Sequence, residues 1–342
     1  MKTFPAAILA PLLIWAQAGD PAALSGAAAQ LAGEKRFAEA EELWRRALNL
    51  APGFVPALFN LGYMHFSQQE FAKAEPLLAR AAQANPEDFN TRFVLGATLL
   101  KLNRRIDALR QWRAALARNP GNVKLMQILC IEYSKGRYFR EAAEIAAQAL
   151  RLRPEDANLY FLGIKAYQDS GDDEAAFDLA AKAAAKFPDS GRANFEYAFQ
   201  LQKLQRVEES LPFLKKAMAA EPFYEEPFFH YGELLMRQNR SQEAIPYLRA
   251  AIKNRPDYIA ARMALAKALL NSRKEREAIA EVEAAIGIDA KSPQPHLLLS
   301  QIYFRLGDEE RAREAKERSL RLRRENPALL EAVQGRPFPE ER

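Results

Sequence analysis

The chain has 342 residues, 27% of them charged, with 49 Lys and Arg against 44 Asp and Glu. A formal charge of +5, spread over so many charges of both signs, describes a mixed, solvated surface and not the basic stripe of a nucleic-acid binder. The single cysteine, Cys130, excludes an intrachain disulfide and any cysteine-based metal cluster.

In chain order, residues 1–18 differ from the rest of the sequence. Lys2 precedes the apolar run FPAAILAPLLIWA, too short to span a bilayer, and Ala16-Gln17-Ala18 stands just before Gly19. This order predicts a signal peptide over 1–18, removed on export. The alternative is a short apolar helix docked on the residues just after it; Pro5, Pro11 and the lack of a polar helical face speak against it. No later segment is apolar enough to cross a membrane, so the mature chain is expected to be periplasmic or extracellular, with no membrane span.

From residue 21 onward a period of 34 residues governs the sequence. Prolines stand at 52, 86, 120, 154, 188, 222 and 256. With that proline as column 32, repeats begin near 21, 55, 89, 123, 157, 191, 225, 259 and 293. Column 20 is Ala in every repeat but the sixth, which has Ser210, and column 27 is Ala in every repeat but the last, which has Ser319. Small side chains let two helix backbones approach, and a larger one would overpack the contact by about 1–3 kcal/mol. Column 24 carries Trp44, Leu78, Trp112, Leu214, Leu248 and Val282 but shrinks to Ala146 and Ala180 in the middle repeats.

Columns 4, 7, 8 and 11 share one face of a first helix, as with Leu58, Leu61, Gly62 and His65. Gly62, Gly96 and Gly232 at column 8 are expected to give the close approach that the alanines answer, and Cys130 takes the same small, buried column. Gly136, Gly171, Gly307, Asn103 and Asn239 predict a helix stop near columns 14–16. Pro76, Pro212 and Pro246 fall at column 22, where a second helix begun near column 18 would tolerate a missing N–H. The column-32 proline ends that helix. The expected fold is all-α: nine helix–turn–helix repeats over 19–324, each burying its apolar face only on its neighbours. The basic run within Glu309–Glu325 reads as the solvated face of a capping helix, and 325–342 as a short turn and frayed tail.

The segments ALFNLGYMHFSQQEFAKAEPLLARAAQANP (57–86) and FFHYGELLMRQNRSQEAIPYLRAAIKNRP (228–256) resemble the tetratricopeptide repeat. The likeness covers about 21–324 and weakens at the ends and middle, with Ala28 for the glycine, Gly163 out of register and Ala290 for the proline. It implies a right-handed superhelical solenoid whose columns 2, 5, 9, 12 and 13 line a concave, peptide-binding surface. On those columns lie Phe59, Tyr63, Phe93, Lys135, Phe161, Lys165, Arg192, Phe195, Phe199, Lys203, Phe229 and Arg237, which form the candidate groove. Column-5 aromatics serve packing between repeats as readily as ligand contact, and the sequence leaves the two open.

Along columns 2, 9 and 13 the basic residues Lys101, Lys124, Lys135, Lys165, Arg192, Lys203, Arg237, Lys267 and Arg305 face only Asp169, Glu226 and Glu233. An aromatic floor with a cationic rim suits an extended peptide or protein partner with acidic and apolar side chains. Chaperone-type recognition of a terminal carboxylate is excluded, because column 5 is never Lys and column 9 never Asn. No catalytic, cofactor or metal site is expected. His65, His230 and His296 lie in repeats 2, 7 and 9, and no phosphate loop or nucleophile elbow occurs. The chain therefore reads as a non-enzymatic interaction scaffold, placed by family resemblance in envelope assembly or secretion. The runner-up, a helical-repeat RNA binder, lacks a base-reading code at fixed columns.

Overall fold

A computed structural model describes residues 19–325. The signal-peptide expectation for 1–18 and the tail expectation for 326–342 lie outside the described residues. Those residues form eighteen helices and no strand, two helices to each repeat. The first four hairpins are α1 (Pro21–Gly33) with α2 (Phe37–Leu50), α3 (Val55–Ser67) with α4 (Phe71–Ala84), α5 (Phe89–Lys101) with α6 (Arg105–Arg118), and α7 (Val123–Lys135) with α8 (Phe139–Leu152). The other five are α9 (Ala157–Ser170) with α10 (Asp173–Lys186), α11 (Gly191–Lys203) with α12 (Val207–Ala220), α13 (Glu225–Arg237) with α14 (Ser241–Asn254), α15 (Ile259–Asn271) with α16 (Glu275–Ile288), and α17 (Pro293–Arg305) with α18 (Glu309–Glu325). Contacts group these helices into two bodies, 19–153 and 154–325. Among the described residues no helix is long and apolar enough to cross a membrane.

The hairpin turn is the same in all nine repeats. The column-16 N–H donates to the column-11 carbonyl, from Arg36 to Leu31 at 2.9 Å in the first repeat through Asp308 to Tyr303 at 2.9 Å in the last. This six-to-one closure needs a left-handed residue at column 15. Gly171 and Gly307 supply it, but Lys35, Gln69, Asn103, Arg137, Gln205, Asn239 and Arg273 adopt it too. The helix does stop at Gly136, its C-cap, but Arg137 takes the positive φ of the turn, and a Cβ on Gly136 would lie 2.7 Å from the Tyr138 ring. Gly136 is small to admit Tyr138.

First helices begin on side-chain caps where column 34 allows. Asp88 accepts from the Thr91 N–H at 2.7 Å, Asn122 from Leu125 at 3.0 Å and Ser190 from Ala193 at 3.2 Å. Second helices close with the column-31 N–H on the column-27 carbonyl, as from Ala51 to Ala47 at 2.9 Å, and the column-32 proline has no N–H to prolong the ladder. These helices begin at column 17, so Pro76, Pro212 and Pro246 are sixth residues and each forfeits one intrahelical bond. Ala72, Glu208 and Gln242, whose carbonyls lose that bond, are exposed to water.

The helices of each hairpin meet at columns 8 and 24. A Cβ on Gly62 would lie 2.8 Å from Leu78 and one on Gly232 2.7 Å from Leu248, while one on Gly96 would come closer still to the Trp112 ring nitrogen. The glycines thus answer column 24 first; of the column-20 and column-27 alanines, Ala244 comes near, its carbonyl 3.6 Å from a Cβ on Gly232. Where column 8 grows to Cys130 and Ile164, column 24 shrinks to Ala146 and Ala180, and all four are buried. At these two repeats the bulk moves from column 24 toward column 8.

Candidate functional site

In the first body, repeat 2 stacks Phe59, Tyr63 and Phe66 along one face of α3. The Phe59 and Tyr63 rings lie 6.0 Å apart and 13° from parallel, and Phe66 is next at 6.4 Å. Tyr63 is 50% exposed, while Phe59 and Phe66 are half-buried. In repeat 3, Phe93 stacks on Phe89 at 5.9 Å and leans on Trp112 at 6.5 Å, whose indole N–H donates to the Phe93 carbonyl at 3.0 Å. Phe93 is thereby held as much by packing as it is offered to solvent. Lys135 pairs with the buried Glu132 at 2.7 Å, and Glu132 also meets Arg105 at 3.3 Å.

In the second body the column-5 rings sink deeper. Phe161, Phe195 and Phe229 are only 6–8% exposed. The Arg192 guanidinium covers Phe161 at 4.3 Å, and Tyr258 abuts Phe229 at 4.9 Å. Phe195 is flanked by Phe199 at 6.1 Å and Tyr224 at 5.3 Å. The His230 imidazole lies among Phe195, Phe199 and Phe229, each 5.2–5.3 Å away. A ligand could reach Phe199 and the upper edges of this cluster; the three column-5 rings chiefly pack.

The rim cations are less free than their columns imply. Lys165 pairs with Asp169 at 2.5 Å, Lys203 forms a close pair with Asp173, and Arg192 reaches Glu196 at 3.8 Å. Asp173, Glu132 and Glu196 stand at columns 17, 10 and 6, off the stripe on which the charges were counted. Exposed pairs of this kind add little stability but neutralise the field of the rim. Arg237, Lys101 and Lys124 remain exposed and form no ion pair among the described residues.

Sequence reasoning passed over four groups here: His230 and Glu196 at column 6, and Tyr224 and Tyr258 at column 34. The readable signal was column 34, where two tyrosines stand in place of a helix-capping residue. Tyr258 donates to Glu226 at 2.6 Å while Arg255 lies over its ring at 3.5 Å. Burial raises the Glu196 carboxyl above its ordinary value against the opposing charge of Arg192, and burial raises Glu233 against Arg237 and Lys267. Burial, helped by the Arg237 charge, pulls His230 down to about 4, so its ring is neutral near pH 7.

His65, a buried column-11 residue of the first body, meets Glu70 at 2.6 Å and Glu41 at 3.7 Å. Burial pushes the Cys130 thiol up to about 12, which leaves it protonated and unreactive at neutral pH. Among the described residues, no three His, Cys, Asp or Glu side chains converge as metal ligands.

Sequence profiles described as tetratricopeptide repeat match residues 31–91, 232–294 and 293–326. The chain is built of tetratricopeptide repeats. It is similar to protein O-mannosyl-transferase TMTC3 of Homo sapiens, at 26% identity over 190 residues, 54% of this chain and 20% of that protein. The chain thus spans about a fifth of that relative's length. Among solved structures it resembles the APC/C hetero-tetramer Cut9-Hcn1, with a TM-score of 0.55, 14% identity, and coverage of 88% of this chain and 60% of that one. It also resembles PilW, a type IV pilus biogenesis factor, with a TM-score of 0.52, 23% identity, and coverage of 60% and 94%. At these identities the likeness establishes the helical-repeat solenoid and nothing further.

The depressed His230 gives a pH test. Its folded value lies below the ordinary value of 6.5, so between pH 6.5 and about 4 the unfolded ring takes up a proton that the folded ring refuses. Stability should therefore fall on acidification through that window, by about 3 kcal/mol from this group. His230→Gln removes this contribution; urea unfolding from pH 7 to 4 should show the native chain losing that much relative to the variant. Parallel pH curves for the two proteins would contradict the assignment.

Proposed function

We propose that this chain is an exported, non-enzymatic scaffold that holds protein partners as extended peptides along columns 2, 5, 9, 12 and 13 of its first helices. The observation that carries the reading is the column of stacked rings Phe59, Tyr63 and Phe66, with Tyr63 half open to solvent. Such a surface suits apolar side chains, since aromatic rings bring contact area at low entropic cost. Acidic side chains of the same peptide meet the unspent cations Lys101 and Lys124 of the same body, which steer the encounter more than they hold it. The function so proposed uses no nucleic acid, cofactor or metal. The transferase named among the relatives shares only a fifth of its length with this chain, so its activity is not carried over. A setting in envelope assembly or secretion joins the signal-like residues 1–18 to an array suited to partner binding.

A second reading, RNA binding, draws on the seven Arg and Lys residues of α18. Phosphate contacts would make binding fall steeply with salt, whereas a peptide held mainly by apolar contact would not.

Immobilised mature protein, presented to envelope extract and read by mass spectrometry, tests the scaffold directly. Partners captured by the native chain should be lost on Tyr63→Ala and Phe199→Ala, with the unfolding midpoint nearly unchanged, because both rings are partly exposed. Arg237→Glu should slow association and leave folding intact. Capture that survives all three changes moves the site elsewhere. For export, N-terminal sequencing of protein from its native host should begin at Gly19; a soluble cytoplasmic chain starting at Met1 would remove both the localisation and the proposed setting.

A further inference from the structure

Columns 8 and 24 are both polar in one repeat. In repeat 9 these columns hold Ser300 and Lys316, so neither side chain can fill the apolar slot that Leu78, Trp112 or Leu248 fills elsewhere. The Ser300 hydroxyl turns instead to the Ala312 carbonyl at 2.7 Å. Column 21 departs in step. Phe177, at that column in repeat 5, meets Tyr197 of the next repeat at 5.5 Å, and Leu211, Ile245 and Ile279 keep the column apolar in repeats 6 to 8; repeats 1 and 2 have Glu41 and Glu75 there, and repeat 9 is the one with a cation, Arg313.

The consequence is a cavity of about 740 Å³. Leu270, Leu297 and Phe304 form its apolar wall, and Arg305, Arg313 and Lys316 its cationic one, with Glu309 the single carboxylate on the lining. Phe304 is 69% exposed. Arg313 and Lys316 form no ion pair among the described residues, in contrast to Lys135, Lys165 and Lys203. A face made polar only to keep the array soluble accounts for the cations. It does not account for a concavity of ligand size, nor for a phenylalanine left in water beside it.

We propose that this cavity is a second docking site, separate from the stacked rings of α3, for an acidic and apolar segment of a partner protein. A large apolar side chain of that segment covers Phe304 and Leu297, and its neighbouring carboxylates pair with Arg313 and Lys316. Charge complementarity selects the acidic segment, and the apolar wall favours a peptide over a nucleic acid, whose phosphates would use only the cations. The inference rests on the reading of the chain as a protein-binding scaffold and deepens it, since Leu297, Phe304 and Arg305 stand at columns 5, 12 and 13 of the last first helix while Arg313 and Lys316 come from the second.

The test uses the full chain and a fluorescein-labelled twelve-residue peptide of Leu, Phe and Glu, followed by anisotropy. The same peptide with Gln for Glu, and a twelve-nucleotide oligouridylate, serve as competing probes. The acidic peptide should bind, and the Gln peptide should bind about tenfold more weakly or less. Arg313→Glu with Lys316→Glu, and separately Phe304→Ala, should each weaken binding about tenfold, while Lys182→Glu, at an exposed position of α10, changes it less than about twofold. The substituted side chains are exposed, and Arg313→Gln with Lys316→Gln provides a milder pair whose circular dichroism should match the native chain. No binding of the acidic peptide, equal binding of the Gln peptide, or tighter binding of oligouridylate would overturn the proposal. Loss of binding with Lys165→Glu but not with the Arg313 and Lys316 changes would also overturn it, while leaving peptide binding along the first helices standing.

Discussion

Each hairpin closes where column 8 of its first helix meets column 24 of its second, and the rest of the architecture depends on how that contact is filled. A glycine admits a tryptophan at Gly96 and Trp112; an isoleucine requires an alanine at Ile164 and Ala180. The contact is thereby filled in different ways through repeats of quite different composition. One turn geometry, with its column-16 to column-11 hydrogen bond, recurs in all nine repeats at 2.8–3.0 Å. Seven residues other than glycine accept a left-handed backbone to complete that turn, at a cost of about 1 kcal/mol each. The closure of the hairpin outweighs local preference there.

The same regularity sets out the interaction face. Because every first helix begins at the same column, columns 5, 9 and 12 come into line and rings of successive turns stack. What they become then depends on neighbours off the stripe. In repeat 2 nothing covers Tyr63, and it stays half open; in repeats 5 to 7 Arg192, Tyr224, Tyr258 and His230 close over the phenylalanines. Burial in that cluster raises Glu196 against the charge of Arg192 and lowers His230, which keeps the imidazole neutral near pH 7 and joins the face to the packing beneath it.

The architecture was legible in the sequence because a 34-residue period writes the same packing problem nine times. Small columns 20 and 27, the column-32 proline and the apolar face of each first helix all stand in the structure where the period put them. Two features needed the three-dimensional structure. Gly136 does end its helix, but the left-handed residue of the turn is Arg137, and only the position of Tyr138 shows why column 14 holds a glycine. The cationic rim looked three to one basic because charges were counted along a stripe, whereas Lys135, Lys165 and Lys203 find their carboxylates on the same helix or a neighbouring one, at columns 10, 13 and 17. Of those three carboxylates only Asp169 lies on the stripe that was counted. Ion pairs form in space around a helix, so a linear census of one face overstates its field.

If columns 8 and 24 trade volume, a double-mutant cycle in repeat 7 shows it most directly. Gly232→Ile should overpack against Leu248, and Leu248→Ala should leave a cavity costing about 2–5 kcal/mol. Together they recreate the Ile164 and Ala180 pairing of repeat 5. The double variant should recover most of the loss, with a favourable coupling of more than about 1 kcal/mol in urea unfolding. Costs that simply add, to within about 0.5 kcal/mol, would show that the two columns do not share one packing constraint.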